Sequence, residues 1–392
     1  PLGPWRSGGV LVDSRGIVPN EDGTHLVGMN AAHNTHGSIQ EINGQWYVFY
    51  HRPPRGFGNA RQAMVAPVKI EWDKKSVADG GKVRIVGYDP YTKNNEWTAK
   101  ASDGNEYTGA EVTSEGFQVF GLPPYAYYSA GLACFMYGPN SNQWMQDNHD
   151  VWNNSMDLAG IQNGGIIGFK YFGFGGLAKD AKGVKAFEGT KKGDNTTLEL
   201  NLTPAGKGAF KIHVKLDNPW KGQEIGVIDV PASANKREAY RVSVPAVEGL
   251  TGKHAIYLVV EGDEIKQPEQ PQGRPQFGGG RQQGQQRPQG LFDLHGISFG
   301  KGAGVKAPVV PTVTITVDGK DIKLPAAPMF STNDNGFMMA NNYQAYAPLK
   351  DNSVIKATAS DPAVTFQIGA VSNGRAIVKA TYKGQTKNYF IN

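Results

Sequence analysis

Asn34-Thr35-His36-Gly37-Ser38-Ile39-Gln40-Glu41-Ile42-Asn43-Gly44-Gln45-Trp46-Tyr47-Val48-Phe49-Tyr50-His51 reads as a β-hairpin with a histidine near each end. Asn43-Gly44 is the turn, because a two-residue type I′ loop needs positive φ at both central positions and Asn-Gly meets that need at least cost. Ile39 and Ile42 on one arm, and Trp46 through Tyr50 on the other, are strand formers too apolar for a solvated ribbon. The hairpin is therefore expected to be buried against other sheets, with His36 and His51 at its same end.

Working outward, the chain of 392 residues carries many glycines and prolines between short apolar runs, and helical periodicity is almost absent. Lysine and arginine total 40 against 35 acidic residues, a net charge of +5 that is too modest to argue for nucleic acid. No segment approaches the ~20 apolar residues of a membrane span. Cys134, the single cysteine, sits in Leu132-Ala133-Cys134-Phe135-Met136; it has no partner for an intrachain disulfide and is expected as a buried thiol. Later strand candidates lie at 165–172, 197–202, 210–216, 224–230, 240–244 and 254–260. Several alternate apolar with polar, as sheets with one solvated face do.

Residues 1 to about 90 resemble the last blades of a five-bladed β-propeller of glycoside hydrolase family 43. The residues that carry this are Pro1-Leu2-Gly3-Pro4-Trp5, the strand Gly9-Val10-Leu11-Val12, the Asn-x-His-x-Ser-Ile pattern from Asn34 to Ile39, the strand Gly44 to His51, and Arg61. The resemblance implies an inverting glycosidase whose two aspartates and one glutamate stand on earlier blades. Direct water attack needs two carboxyl groups about 6.5 to 9.5 Å apart. The acidic residues of positions 1–100 fall mostly in turn-like sequence, so no catalytic residue is expected in this chain. The chain opens on Pro1 in mid-architecture, and the missing blades are expected from an upstream segment or a companion chain.

Within that resemblance His36 is placed at the propeller axis, contacting water or a cation, and Arg61 binds substrate hydroxyls. His51 and Phe57, the latter in the loop Pro53 to Asn59, are further substrate-binding candidates. Neutral imidazole suits a metal, and its charge responds to nearby carboxylates.

Residues 107–300 resemble a family 6 carbohydrate-binding module, a jelly-roll β-sandwich, through Ala110-Glu111, Ile167-Gly168-Phe169, Val214 to Asp217, Ile225 to Ile228, Leu250 to Leu258 and Phe292 to Phe299. The resemblance implies a structural Ca²⁺ near Glu111 and Asp293, although Gly109 stands where a second glutamate is usual. It also implies a sugar cleft near Phe169 and Tyr240, with Trp152 as a further platform beside the rivals Trp144 and Trp220. Arg237 stands where a tryptophan is common, and Leu291 where an asparagine is expected. Residues 266–290 are rich in Gln, Gly, Arg and Pro, and read as a disordered insertion in a sandwich loop. Residues 308–392, with the Asp318-Gly319 turn and a terminal hairpin, read as a small immunoglobulin-like sandwich.

The whole is expected to be all-β: C-terminal propeller blades in 1–100, a jelly-roll sandwich and a small sandwich. It is expected to be the C-terminal portion of a secreted, periplasmic or cell-surface bacterial glycosidase of the α-L-arabinofuranosidase, β-xylosidase or arabinanase class. Its partner would be plant polysaccharide. The alternative is a non-catalytic glycan-binding or structural protein.

Overall fold

The computed structural model describes residues 11–12, 16–22, 26–28, 35–52, 62–76, 79–81, 83–87, 99–100, 106–107, 111–140, 145–147, 152, 156–176, 189–266, 289–302, 306–325 and 341–392. The fold is all-β; the helical turns among the described residues are three short 3-10 segments. The chain divides into two compact units, residues 1–146 with 157–306, and residues 147–156 with 307–392.

In the first unit a short pair, β1 (Ile17–Pro19) and β2 (Leu26–Gly28), precedes a four-stranded antiparallel meander. Its strands are β3 (Gly37–Ile42), β4 (Gln45–Arg52), β5 (Gln62–Trp72) and β6 (Val83–Gly87), in that spatial order. The β3–β4 turn is as the sequence requires: Ile42 pairs with Gln45, and Asn43 and Gly44 have φ of 53° and 83°. Val48 and Tyr50 of β4, and Met64, Ala66 and Val68 of β5, are buried in one cluster with Val112 and Cys134. Cys134 is thus the expected core thiol. Arg52 is also buried, and its guanidinium donates to the carbonyls of Leu132 (3.0 Å) and Ala133 (3.2 Å). The meander is thereby tied to the turn that opens the sandwich.

After the short strands β7 (Ala99–Lys100), β8 (Glu106–Tyr107) and β9 (Tyr128–Ser129), the sandwich strands are β10 (Phe135–Tyr137), β11 (Met145–Asp147), β12 (Met156–Ile161), β13 (Ile166–Gly173), β14 (Thr196–Pro204), β15 (Phe210–Leu216), β16 (Glu224–Val230), β17 (Glu238–Ser243), β18 (Lys253–Gly262) and β19 (Phe292–Lys301). One sheet runs β10-β13-β18-β15-β16. The other runs β11-β12-β19-β14-β17, with β9 beside β19. Between them Phe172 meets Phe299 edge-on at 5.1 Å, and Phe210 stacks on Phe292 at 4.9 Å. Each such buried side chain contributes about 1.5–3 kcal/mol. Of the glutamine-rich insertion, 267–288 lie outside the described residues, and β18 and β19 on either side of it are both sandwich strands.

Two buried ion pairs hold segment 111–115 onto the first sheet. Lys170 Nζ meets Glu111 Oε1 at 2.5 Å with side-chain exposures of 6% and 15%, and Lys253 Nζ meets Glu115 Oε1 at 2.6 Å with exposures of 0% and 5%. Tyr171 donates its hydroxyl to the second oxygen of Glu111, and Ser114 exchanges hydrogen bonds with the backbone of Lys170. Burial alone would lower the pKa of Lys170; Glu111 more than offsets this and holds the ammonium above its ordinary range.

The second unit has a sheet of β20 (Val313–Val317), β21 (Lys320–Asp321) and β23 (Ile355–Ala359), ordered β21-β20-β23. Its other sheet holds β22 (Asn342–Ala345), β24 (Thr365–Ile368), β25 (Ala376–Tyr382) and β26 (Gln385–Ile391), ordered β22-β26-β25-β24 with β22 and β26 parallel. Trp152 belongs to this unit. Its Nε1 donates to the Gln385 carbonyl at 3.0 Å, its ring lies 5.8 Å from Tyr382, and Lys387 Nζ sits 4.2 Å above it. Trp152 therefore packs with the terminal hairpin and is not a platform of the larger sandwich, a correction to the sequence reading.

Two outcomes are expected in urea unfolding. Trp152→Ala costs the second unit about 2 kcal/mol, less than a fully buried tryptophan would, because the ring is half-exposed. Glu111→Ala costs about 3–5 kcal/mol by leaving the Lys170 ammonium buried and unpaired, whereas the double change Glu111→Leu with Lys170→Met costs much less. A single variant as stable as the double would contradict this account of the pair.

Candidate functional site

The hairpin delivers the first candidate site. Gly37 pairs with Tyr50, so His36 stands opposite His51, and their rings lie 5.6 Å apart at 35°. His36 is exposed and His51 half-buried. Arg61 and Phe57, expected beside them, lie outside the described residues.

The second site is on the five-stranded sheet of the sandwich, where a cavity of about 510 Å³ is lined in part by Val18, Asn20, Glu21 and Asp22. Its walls are aromatic: Phe135 meets Tyr257 edge-on at 5.2 Å, and Trp220 stands edge-on to Phe135 at 6.1 Å and to Tyr137 at 5.3 Å. Gly168 makes room for Tyr257, because a Cβ there would fall 2.6 Å from the tyrosine ring and 2.8 Å from Phe135 Cβ. The Glu111, Lys170 and Tyr171 group forms the polar floor. Burial, then Glu111, pushes the Tyr171 hydroxyl well above its usual range, and burial does the same to Tyr257.

Trp220 rides on the loop between β15 and β16, which is pinned at every step. Asn218 Oδ1 accepts from the backbone of Trp220 (2.9 Å) and Lys221 (2.8 Å), and Lys215 Nζ donates to the Trp220 carbonyl at 3.0 Å. Asp217, at φ 62°, accepts from Ala255 N at 3.0 Å and faces His254 Nδ1 at 2.7 Å. His254 Nε2 faces the Thr251 carbonyl at 3.0 Å. Both ring nitrogens thus meet acceptors, an arrangement that only the imidazolium satisfies in full. A platform held this way needs little reordering when a ligand arrives.

Several expected site residues are placed differently by the structure. Phe169 has no exposed surface, since it lies on the core face of β13, opposite to Gly168 and Lys170, and it cannot meet a sugar. Tyr240 lies half-buried on the edge strand β17, and Leu291, the residue standing where an asparagine is expected, is buried. Glu111 does not fit the expected Ca²⁺, because one oxygen is committed to Lys170 and the other to Tyr171, while a hard cation wants several free oxygen ligands. Asp293 stands on the other sheet and accepts from Gly160 N at 2.7 Å. Among the described residues no group of three or more His, Cys, Asp or Glu, with or without His36, is arranged to hold a metal. The sequence reading named Trp220 only as a rival platform and missed Tyr257, Phe135 and the 18–22 segment. Gly168 was the available signal, since an isolated glycine within a strand marks a close approach.

His254 gives the site a pH dependence. Burial lowers its pKa, but the hydrogen bond and charge of Asp217 prevail, so its folded value lies above the ordinary 6.5. Its contribution to stability is then complete below about pH 6.5 and is lost as pH rises through the raised folded value. Thermal unfolding followed from pH 5.5 to 8.5 is expected to show that decline in the native chain and a flattened one in His254→Gln. An equal slope in both would contradict the assignment.

No protein-family model matches the chain. A "Xylosidase/arabinosidase" of Thermoclostridium stercorarium is 25% identical over 277 residues, which cover 67% of this chain and 46% of that protein. The chain thus spans about half the length of the curated relative it matches. Among solved structures, a glycoside hydrolase family 43 arabinoxylan arabinofuranohydrolase from Bacillus subtilis aligns over 69% of this chain and 42% of its own, at 16% identity and a TM-score of 0.36. A family 6 carbohydrate-binding module from Clostridium stercorarium, solved with cellobiose, aligns over 46% of this chain and 97% of its own, at 16% identity and a TM-score of 0.29. A β-1,3-glucan-binding family 6 module from Bacillus halodurans aligns over 46% and 98%, at 14% identity and a TM-score of 0.29. Among the described residues no helix is long and apolar enough to cross a membrane. Over about two thirds of its length the chain thus resembles part of a xylosidase/arabinosidase.

Proposed function

We propose that this chain is the C-terminal portion of an inverting glycoside hydrolase that acts on arabinose- or xylose-containing plant polysaccharide. The observation that carries the proposal is the 277-residue match to a xylosidase/arabinosidase, of which it covers 46%. In this reading the catalytic carboxylates belong to blades supplied by an upstream segment or a companion chain, and His36 and Arg61 complete the substrate pocket from this side. The substrate is a polymer outside the cell, so the working place is the periplasm or the surface of a bacterium.

The sandwich is the accessory part, and its contact surface is the Trp220 cavity. A pyranose or furanose ring has an apolar C–H face that suits an aromatic wall, and hydroxyls that suit carboxylate, amide and ammonium groups at the rim. The cavity offers Trp220 and Tyr257 for the first, and Asp217, Asn218 and Lys221 for the second. Its volume of about 510 Å³ falls within the range of small-ligand sites.

The test pairs kinetics with binding. The chain alone is expected to give no turnover of aryl arabinofuranoside or xyloside, and to be retarded in gels cast with xylan or arabinan. Trp220→Ala is expected to weaken that retention by about tenfold, the equivalent of ~1.4 kcal/mol. Turnover by the chain alone, or unchanged retention of the variant, would overturn the corresponding half of the proposal.

A further inference from the structure

We infer that the Trp220 cavity is a two-part site: the β1–β2 pair supplies one of its walls, and a sugar bound there fastens that pair to the sandwich. The inference rests on the reading of the cavity as a sugar site and adds which segment of the chain closes it. Val18, Asn20, Glu21 and Asp22 come from β1 and the residues that follow it, whereas Asp217, Asn218, Trp220 and Lys221 come from the loop between β15 and β16. The two walls are far apart in sequence and meet only in the fold.

Their anchoring differs. The loop is held by the side chains of Asn218 and Asp217 and by Lys215. β1 and β2, three residues each, pair with one another and, among the described residues, with no other strand. A two-stranded ribbon is at best marginally stable without packing. Val18 provides packing here: it is 7% exposed and buried with Phe135, Ile166, Tyr171, Ala255 and Tyr257. Phe135, Tyr171 and Tyr257 also line the cavity, so the ribbon docks on side chains that a sugar would meet. A short ribbon of this kind opens locally at lower cost than the sheet beneath it. Glu21, exposed on the ribbon's wall, offers its carboxylate to sugar hydroxyls. A sugar that touches both walls binds the docked state better than the open one and so makes opening rarer. The coupling is reciprocal: whatever releases the ribbon weakens the sugar by the same factor. In the proposed function the ribbon lies on the glycosidase side of the chain, so capture of sugar by the sandwich stiffens its junction with that side.

The experiment follows amide hydrogen exchange of the full chain with and without a neutral arabino- or xylo-oligosaccharide. If opening of the ribbon destroys the site, sugar at ten times its Kd is expected to slow exchange in β1 about tenfold. The β15–β16 loop is expected to slow with it, and both effects are expected to vanish in Trp220→Ala at the same sugar concentration. Calorimetric titration of Val18→Asp, which drives the ribbon off the aromatic cluster, is expected to show at least about tenfold weaker binding, or ~1.4 kcal/mol. Slowing confined to the β15–β16 loop, with β1 unchanged, overturns the two-part site while leaving sugar binding standing. Native affinity in a folded Val18→Asp does the same, and should that variant not fold, the exchange of the native chain decides. Slowing of β1 that persists in Trp220→Ala overturns the link to this cavity. Failure of the sugars to bind the native chain overturns the sugar site itself.

Discussion

Two lysine–glutamate pairs, Lys170 with Glu111 and Lys253 with Glu115, are the constraint on which the rest of the larger unit depends. Each lysine is a strand residue facing outward from the five-stranded sheet, and each glutamate lies on the segment that enters the sandwich. Buried charges at 2.5 and 2.6 Å cannot tolerate loss of a partner, so segment 111–115 is fixed in register along β13 and β18. Val112, between the two glutamates, then meets the buried face of the hairpin meander, and Arg52 anchors the meander from its other side.

The same pairs shape the cavity. Once Lys170 is committed to Glu111, the centre of the sheet becomes a neutral polar floor, and the residues around it are free to be aromatic. Gly168 lets Tyr257 lie close to the sheet, and Phe135 meets both Tyr257 and Trp220 edge-on, an arrangement aromatic rings prefer to face-to-face stacking. The Asp217–His254 contact and the Asn218 side chain hold the loop that presents Trp220. Stability and recognition thus draw on one set of residues, from a buried ion pair through a glycine to a half-buried tryptophan.

What the sequence made legible were features set by short-range rules. Asn43-Gly44 fixed the hairpin turn and hence the approach of His36 to His51, and the apolar alternation of β14 and β15 declared a sandwich. Cys134 read correctly as core. The site residues were less legible because their roles are decided by long-range pairing. Nothing around Glu111 in the sequence says that a lysine 59 positions later will neutralise it. Phe169 lies on a strand in which both faces are buried, so alternation gave no sign of which face meets the core. Trp152 is polar in context but packs against a hairpin more than two hundred residues away. Trp220 was visible only as one tryptophan among several, until Tyr257 and Phe135 were brought beside it.

The account holds that sugar meets this chain on the five-stranded face of the sandwich. The most direct measurement is a crystal structure of the chain grown with a neutral arabino- or xylo-oligosaccharide. A sugar ring lying against Trp220 and Tyr257, with its hydroxyls toward Asp217 and Asn218, is the predicted result. A ring seated instead beside Tyr240 and Arg237 on the edge of the other sheet, with the Trp220 cavity holding only solvent, would contradict it.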